Sequence, residues 1–181
     1  YYYALSGQIT QIPVLFREHQ LSTVNFLAPG KPMMELIENQ VYLAQQEYAK
    51  VIGRSEGLLA VCEAMHYALV ALHVQIQTAA AYECLGKRTE ARNCLKRAIQ
   101  IALPDQFYLP FVENYEYLEE LLQREIQTAD AAEHVFLTKV TELGKNCQKR
   151  YGALRKTHMF PKIAAELTEQ EQRIIELLAE R

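Results

Sequence analysis

Apolar residues recur at helical spacing along most of this chain. From Met33 onward, Ile37, Val41, Ala44, Tyr48 and Val51 fall at i, i+4, i+7, i+11 and i+14, which predicts one continuous stripe. Ser55 is placed to cap a following helix that carries Leu58, Cys62, Met65, Leu69 and Leu72. His73–Pro104 then reads as a helix, a tight turn at Gly86–Lys87 and a second helix with Thr89 near its start. Tyr82 and Leu85 close the first of these helices. Ala91, Leu95 and Ala98 set a small–large–small stripe on the second, so a partner helix can approach closely. Pro104–Pro110 predicts a turn. Phe111, Tyr115, Leu118 and Leu122 predict a further helix, acidic on its outer side, and Ala132, Phe136, Val140 and Leu143 another that ends at Gly144. Upstream, Tyr1–Leu5 has the character of a helix tail ended by Gly7. A second helix there is expected to reach about Leu21, with Pro13 in its first turn, followed by a loop over Gln20–Pro32.

A shift of 34 residues maps part of the pattern onto itself. It takes Tyr82 to Tyr48, Glu90 to Glu56, Leu95 to Val61, Ala98 to Ala64 and Ala102 to Ala68, and Gly53 lies within one residue of the position that Gly86 predicts. These residues resemble the tetratricopeptide repeat, whose period is 34. Its early Trp and Leu-Gly pair are replaced here by Gln75, Thr78 and Ala79. The resemblance implies an all-α fold, a solenoid of antiparallel helix hairpins, over residues 1–144. By the same analogy the first helix of each hairpin lines a groove through Asn39, Tyr42, Gln46, Lys50, His73, Ile76, Ala80 and Glu83. That mixed lining suits a peptide or a small polar effector. It suits packing on a neighbouring hairpin or on a twin subunit nearly as well, and the eleven tyrosines serve either role.

Composition narrows the picture further. Half of the 181 residues are hydrophobic, enough for a real core, and glycine and proline are scarce and sit at expected turns. No apolar run approaches the ~20 residues that a membrane span needs. Cys62, Cys84, Cys94 and Cys147 form no C-x-x-C pair and fall on apolar stripes, as buried thiols in a reducing cytosol would. The net charge of −3 is unevenly spread. Six basic residues and no acidic one lie between Leu143 and Ala165, which leaves −9 for the remainder.

The sharpest local signal is at the far end. Thr168 and Glu171 make a capping box, and Leu167 can staple onto the first turn. The stretch Leu167–Ala179, LTEQEQRIIELLA, resembles the opening helix of the LuxR-type helix-turn-helix domain, with Gln170 in place of the usual basic residue. In the larger, MalT-like members of that family a tetratricopeptide-like sensor region precedes this motif. A segment like Ala102–Leu122, with its Leu-Pro-Phe-Val run, commonly lies between their last repeats. Repeat region, that segment, basic stretch and motif follow here in the same order.

The resemblance implies a cytoplasmic, DNA-binding transcription regulator. Residues 1–144 would sense an effector or protein partner, with a homo-oligomer also compatible. Residues 145–166 would be a basic linker, and 167–181 the first helix of a truncated helix-turn-helix domain. DNA would then be read only by elements beyond Arg181, while Lys145, Lys149, Arg150, Arg155, Lys156 and Lys162 could touch phosphates or, equally well, only keep a solvated linker soluble. The chain accordingly reads as a piece of a longer protein. The rival reading is a stand-alone tetratricopeptide-like scaffold that binds a peptide and has no link to DNA.

Signals for chemistry are weak. ECLGKRT lacks the glycine and the Ser or Thr that a phosphate loop requires, since Ala81 and Arg88 stand there. Glu63 and His66 have the spacing of a carboxylate–histidine helix pair, but a di-metal site needs a second such pair. No catalytic residue, metal ligand or cofactor is assigned, and an enzyme is not expected.

Overall fold

The structure is a computed structural model that describes residues 1–25 and 27–157. The chain divides into two units, 1–151 and 152–181, and the account below concerns the first. It is all-α, with no strand among the described residues. In order the helices are α1 (Tyr2–Leu5), α2 (Val14–Arg17), α3 (Lys31–Ala44), α4 (Tyr48–Ala64), α5 (Ala68–Cys84), α6 (Arg88–Ala102), α7 (Leu109–Glu113), α8 (Tyr115–Ile126) and α9 (Ala131–Thr157). Single 3-10 turns at Ile9–Gln11, Leu21–Thr23 and Ala28–Gly30 break up the N-terminal region, so the expected helix to Leu21 is only the one turn of α2.

Backbone geometry at the turns sets the period of the fold. Gln46, His66, Gly86 and Gln106 all have positive φ, at 63°, 56°, 72° and 50°. Each turn closes in the same way. The amide after the left-handed residue bonds a carbonyl five residues back, as in Glu47 N to Tyr42 O at 2.8 Å, Tyr67 N to Cys62 O at 2.8 Å and Lys87 N to Tyr82 O at 2.9 Å. The fourth is Phe107 N to Ala102 O at 3.0 Å. These turns recur every 20 residues, so a helix pair repeats every 40, not every 34.

Burial follows the longer period. Val51, Ser55, Leu58 and Cys62 are the buried positions of α4, and a shift of 40 carries them onto Ala91, Leu95, Ala98 and Ala102 of α6, all buried. The 34-residue shift instead maps buried Leu95 onto Val61, which is 44% exposed, and buried Ala98 and Ala102 onto exposed Ala64 and Ala68. The expected stripe from Ile37 to Val51 is likewise split between α3 and α4 at Gln46. Ser55 lies inside α4 and donates to Ile52 O at 2.8 Å instead of capping a helix. Gly53 is mid-helix with nothing close to it.

Helix α5 is the hub. Apolar residues surround its axis with almost no sidedness, the signature of a helix enclosed by others. It packs against α6 and α4 most extensively, and also against α3, α7 and α8. Its Ile76, Ala79 and Ala80 join Leu95, Ala98, Phe111, Tyr115, Leu118 and Phe136 in the main core. Its Val70 and Val74 join Leu36, Leu58 and Cys62 in a second core under α3 and α4. The α7–α9 end is closed by Phe136, which meets Phe111 edge-on at 5.4 Å.

Helix α9 opens on a side-chain cap, with Asp130 Oδ1 accepting from Ala132 N and Glu133 N at 2.9 Å each. It does not end at Gly144. That glycine lies against the Tyr115 ring, where a Cβ would overlap ring carbons, so it serves close approach of α9 to α8 and the helix runs on to Thr157. Residues 145–157 of the expected linker are therefore helical. The capping box at Thr168, the LuxR-like stretch and Lys162 lie outside the described residues. For Arg155 and Lys156 the description covers backbone alone.

Candidate functional site

The groove residues expected by analogy are not gathered into one face. Asn39 and Ile76 are each 0% exposed and Ala80 is also fully buried, so they belong to the interior. The Glu83 carboxylate is held by Arg124 of α8 at 2.6 Å. Gln46 is the exposed left-handed residue of a turn, and Lys50 pairs on the surface with Glu47. His73 faces the opposite end, against Tyr1. The Tyr1 hydroxyl lies 3.4 Å from His73 Nδ1 and donates to Glu113 Oε2 at 2.8 Å. Burial drives the His73 pKa down to about 4 and raises that of Glu113.

Tyr42 sits in a separate cluster between the N-terminal segment and the first helix pair. Its ring stacks on His19 at 3.8 Å, with the Arg54 guanidinium 5.3 Å and the Lys50 ammonium 5.1 Å from its centroid. Glu38, buried beneath, pairs with Arg54 and lies 3.6 Å from His19 Nδ1. His19, Glu38, Tyr42 and Arg54 border a cavity of about 470 Å³. The arrangement is a fastening for the segment around His19, since each charge there already has a partner.

The larger concavity lies elsewhere. A groove of about 820 Å³ runs along α5, walled by α4 on one side and α6 on the other. Its floor is Ala68, Ala71, Gln75, Thr78 and Tyr82, residues that fall at i, i+3, i+7, i+10 and i+14 on one stripe of α5. The α4 wall presents Glu56, Leu59, Ala60 and Glu63, and His66 stands at the turn. Cys94 and Arg97 form the α6 wall. The site exists because α4 and α6 pack on different sides of α5, leaving one stripe of the hub helix at the bottom of a cleft between them.

Charge is divided across this groove. Glu56 and Glu63 are on the α4 side, while Arg97 is on the α6 side, and none of the three forms an ion pair among the described residues. Antiparallel pairing levels them. Gln75 precedes Gly86 by as many residues as Arg97 follows it, and Glu56 precedes His66 by one residue more than Gln75 follows it. Gln75 is 6% exposed, and its Oε1 is buried without a hydrogen-bond partner. Thr78 donates to Val74 O at 2.7 Å and keeps acceptor capacity. The middle of the groove thus carries a carboxylate, an unsatisfied amide and a guanidinium in a row.

The thiols play a small part. Cys62 is buried, Cys94 and Cys147 half-buried and Cys84 exposed, so burial is not the common state expected of them. Surrounding protein shields each thiol from water, Cys84 only in part, and so raises the pKa of all four, which disfavours the reactive thiolate. Among the described residues no group of three or more His, Cys, Asp or Glu is placed to share a metal ion, and Glu63 and His66 stand together without further donors. No helix among them is long and apolar enough to cross a membrane.

Comparison with protein-family models, curated proteins and solved structures finds no match. The repeat analogy assigned none of the residues that line this groove, Gln75, Glu56 and Arg97 among them. The stripe on α5 is the signal that could have found them, once the ends of that helix are known.

Proposed function

We propose that this chain is the effector- or partner-sensing and coupling region of a cytoplasmic LuxR-type transcription regulator, acting by binding rather than by catalysis. The observation that carries the reading is order along the chain. Helix pairs with a 40-residue period precede a basic stretch, and LTEQEQRIIELLA follows it. The groove over α5 supplies a binding site of suitable size, between walls of opposite charge. An occupant there contacts α4, α5 and α6 together, so it biases the angle between successive helix pairs. The helix-turn-helix domain would feel that bias through the segment that follows α9. Exposed Lys145, Lys149 and Arg150 on α9 are available to phosphates, while base reading belongs to elements beyond Arg181.

Two measurements test this. Reading the coding sequence after Arg181 should reveal the rest of a helix-turn-helix domain; a stop codon or another helix pair in its place sinks the regulator reading. In the full-length regulator, the combined variant Glu56→Gln, Gln75→Leu, Arg97→Gln should abolish the transcriptional response to the effector while DNA binding persists. The alternative is a stand-alone peptide-binding scaffold, which the same groove would serve without any link to DNA.

A further inference from the structure

We propose that the groove over α5 takes an extended peptide segment in which a basic and an acidic residue stand next to each other. This rests on reading that groove as the binding site, and it specifies what the site recognises. Three observations lead there. The floor runs from Ala68 to Tyr82, about 21 Å of helix at 1.5 Å per residue, the length of about six extended residues. Its centre is polar: Gln75 is nine-tenths buried, its Oε1 has no partner, and Thr78 stands beside it on the stripe. Its walls carry opposite charge, Glu56 and Glu63 against Arg97.

The polar floor selects the backbone form. A bound helix satisfies its own N–H and C=O groups and asks for an apolar trough. An extended chain brings those groups unpaired and needs partners for them. Gln75 can provide both a donor and an acceptor once its amide turns about its last torsion. The walls select the side chains. Along an extended chain, successive side chains point to opposite sides. A peptide lying along α5 therefore sends neighbouring residues to opposite walls, the basic one to Glu56 and Glu63 and the acidic one to Arg97. The same two charges spaced two residues apart would fall on one wall, and one of them would meet its like. A free amino acid offers both charges but spans only a fraction of the groove.

The test uses the whole 181-residue chain and a fluorescein-labelled heptapeptide, Ala-Ser-Ala-Lys-Glu-Ala-Ser, read by anisotropy. Its comparators are Ala-Ser-Lys-Ala-Glu-Ala-Ser, the N-methylated form of the first peptide, and an amphipathic helical peptide of the same charge. The first should bind about tenfold tighter than each. Gln75→Leu should lose about tenfold while its melting temperature stays at or above that of the parent, because a buried unpaired amide has been removed. Glu56→Gln together with Glu63→Gln should erase the preference for lysine, and Arg97→Gln the preference for glutamate. Equal binding of the two spacings, undiminished binding of the N-methylated peptide, or tighter binding of the helical one overturns the proposal. So does a response to free arginine or glutamate with none to the peptide. If the peptide binds as expected but the same variants leave the full-length regulator fully responsive, the site stands and the sensor reading falls. If they silence the regulator and no peptide binds, the reverse holds.

Discussion

The pairs α3–α4 and α5–α6 share a frame but not a chemistry. Their turn residues superimpose under a shift of 40, and on α4 and α6 residues 51–60 and 91–100 match in burial at nine of ten positions. In the second pair Ala91, Leu95, Ala98 and Ala102 of α6 join Ile76, Ala79 and Ala80 of α5 in an apolar core, and the buried polar residues Gln75, Gln77 and Thr78 all lie on α5. In the first pair Ser55 stands where the second has Leu95, and Glu38, Asn39 and Gln40 are buried on α3. Gln40 accepts from Gln77 Nε2 at 3.0 Å, and both Asn39 side-chain polar atoms are buried without a partner. Helix α4 even tolerates Gly53 and Gly57 in its interior. Backbone register and turn closure define this repeat. Side-chain identity at equivalent positions is free to vary once the neighbouring helices complete the burial.

The largest expected difference between the pairs is at the matched buried positions. Leu95→Ala should cost about 3 kcal/mol by leaving a cavity among the helices around α5. Ser55→Ala should cost about 1 kcal/mol or less, because its hydroxyl only supplements the bond network within its own helix. Urea denaturation of both variants checks this, and equal losses would break the contrast between Leu95 and Ser55 at the matched position. Glu38→Gln should cost about 2 kcal/mol, since it leaves Arg54 without its charge partner beside the Tyr42 ring. Its counterpart Thr78→Val should cost less than about 1 kcal/mol in the same assay, because the hydroxyl is already bonded within its helix.

Acid should also separate the pairs. His73 on α5 is held neutral by burial, with a pKa of about 4 against 6.5 ordinarily, while Met33 occupies the matched position. The unfolded chain then takes up the proton first on acidification. Stability should fall as pH drops from about 6.5 towards 4 and gain no further loss from this group below that. Glu113 has the opposite sign, because burial raises its pKa and its contribution weakens as pH rises above 4.5. His73→Leu should flatten the fall in melting temperature between pH 6.5 and 4.5; an unchanged slope would place the acid sensitivity elsewhere.

The smallest effects concern the glycines. Gly53→Ala and Gly57→Ala should each stabilise by about 0.5–1 kcal/mol, since both are helical with open space around the added carbon. Gly86→Ala should destabilise by about 1 kcal/mol at φ 72°, and Gln46→Gly at the matched turn should stabilise by a similar amount. If both turn substitutions move the melting temperature in one direction, the two turns are not equivalent.

Some of this was legible in the residues. The small–large–small stripe of α6, the turn at Gly86 and the helix through Phe111–Leu122 follow from periodicity and a breaker, because in that region the helix ends carry residues with strong local preferences. The turn at Gln106 falls within the expected Pro104–Pro110 turn, but those at Gln46 and His66 were not legible. None carries glycine, so the left-handed conformation there is imposed by the packing of the helices on either side. Gly53 and Gly144 misled for the complementary reason, since one is a tolerated interior glycine and the other admits the Tyr115 ring. The analogy-based groove failed with the period: a shift of 34 in place of 40 turns buried faces outward and scatters Asn39, Tyr42, His73 and Glu83 over separate surroundings.

By itself, then, the sequence determined that this protein is helical, which residues are apolar, and where two of the repeat turns fall, because these depend on neighbours within a few positions. Only the tertiary structure decided the 40-residue period, the burial of α5 on nearly every side and the groove over Gln75 between Glu56 and Arg97. Those depend on which helices meet, and the residues that settle it are far apart in the chain.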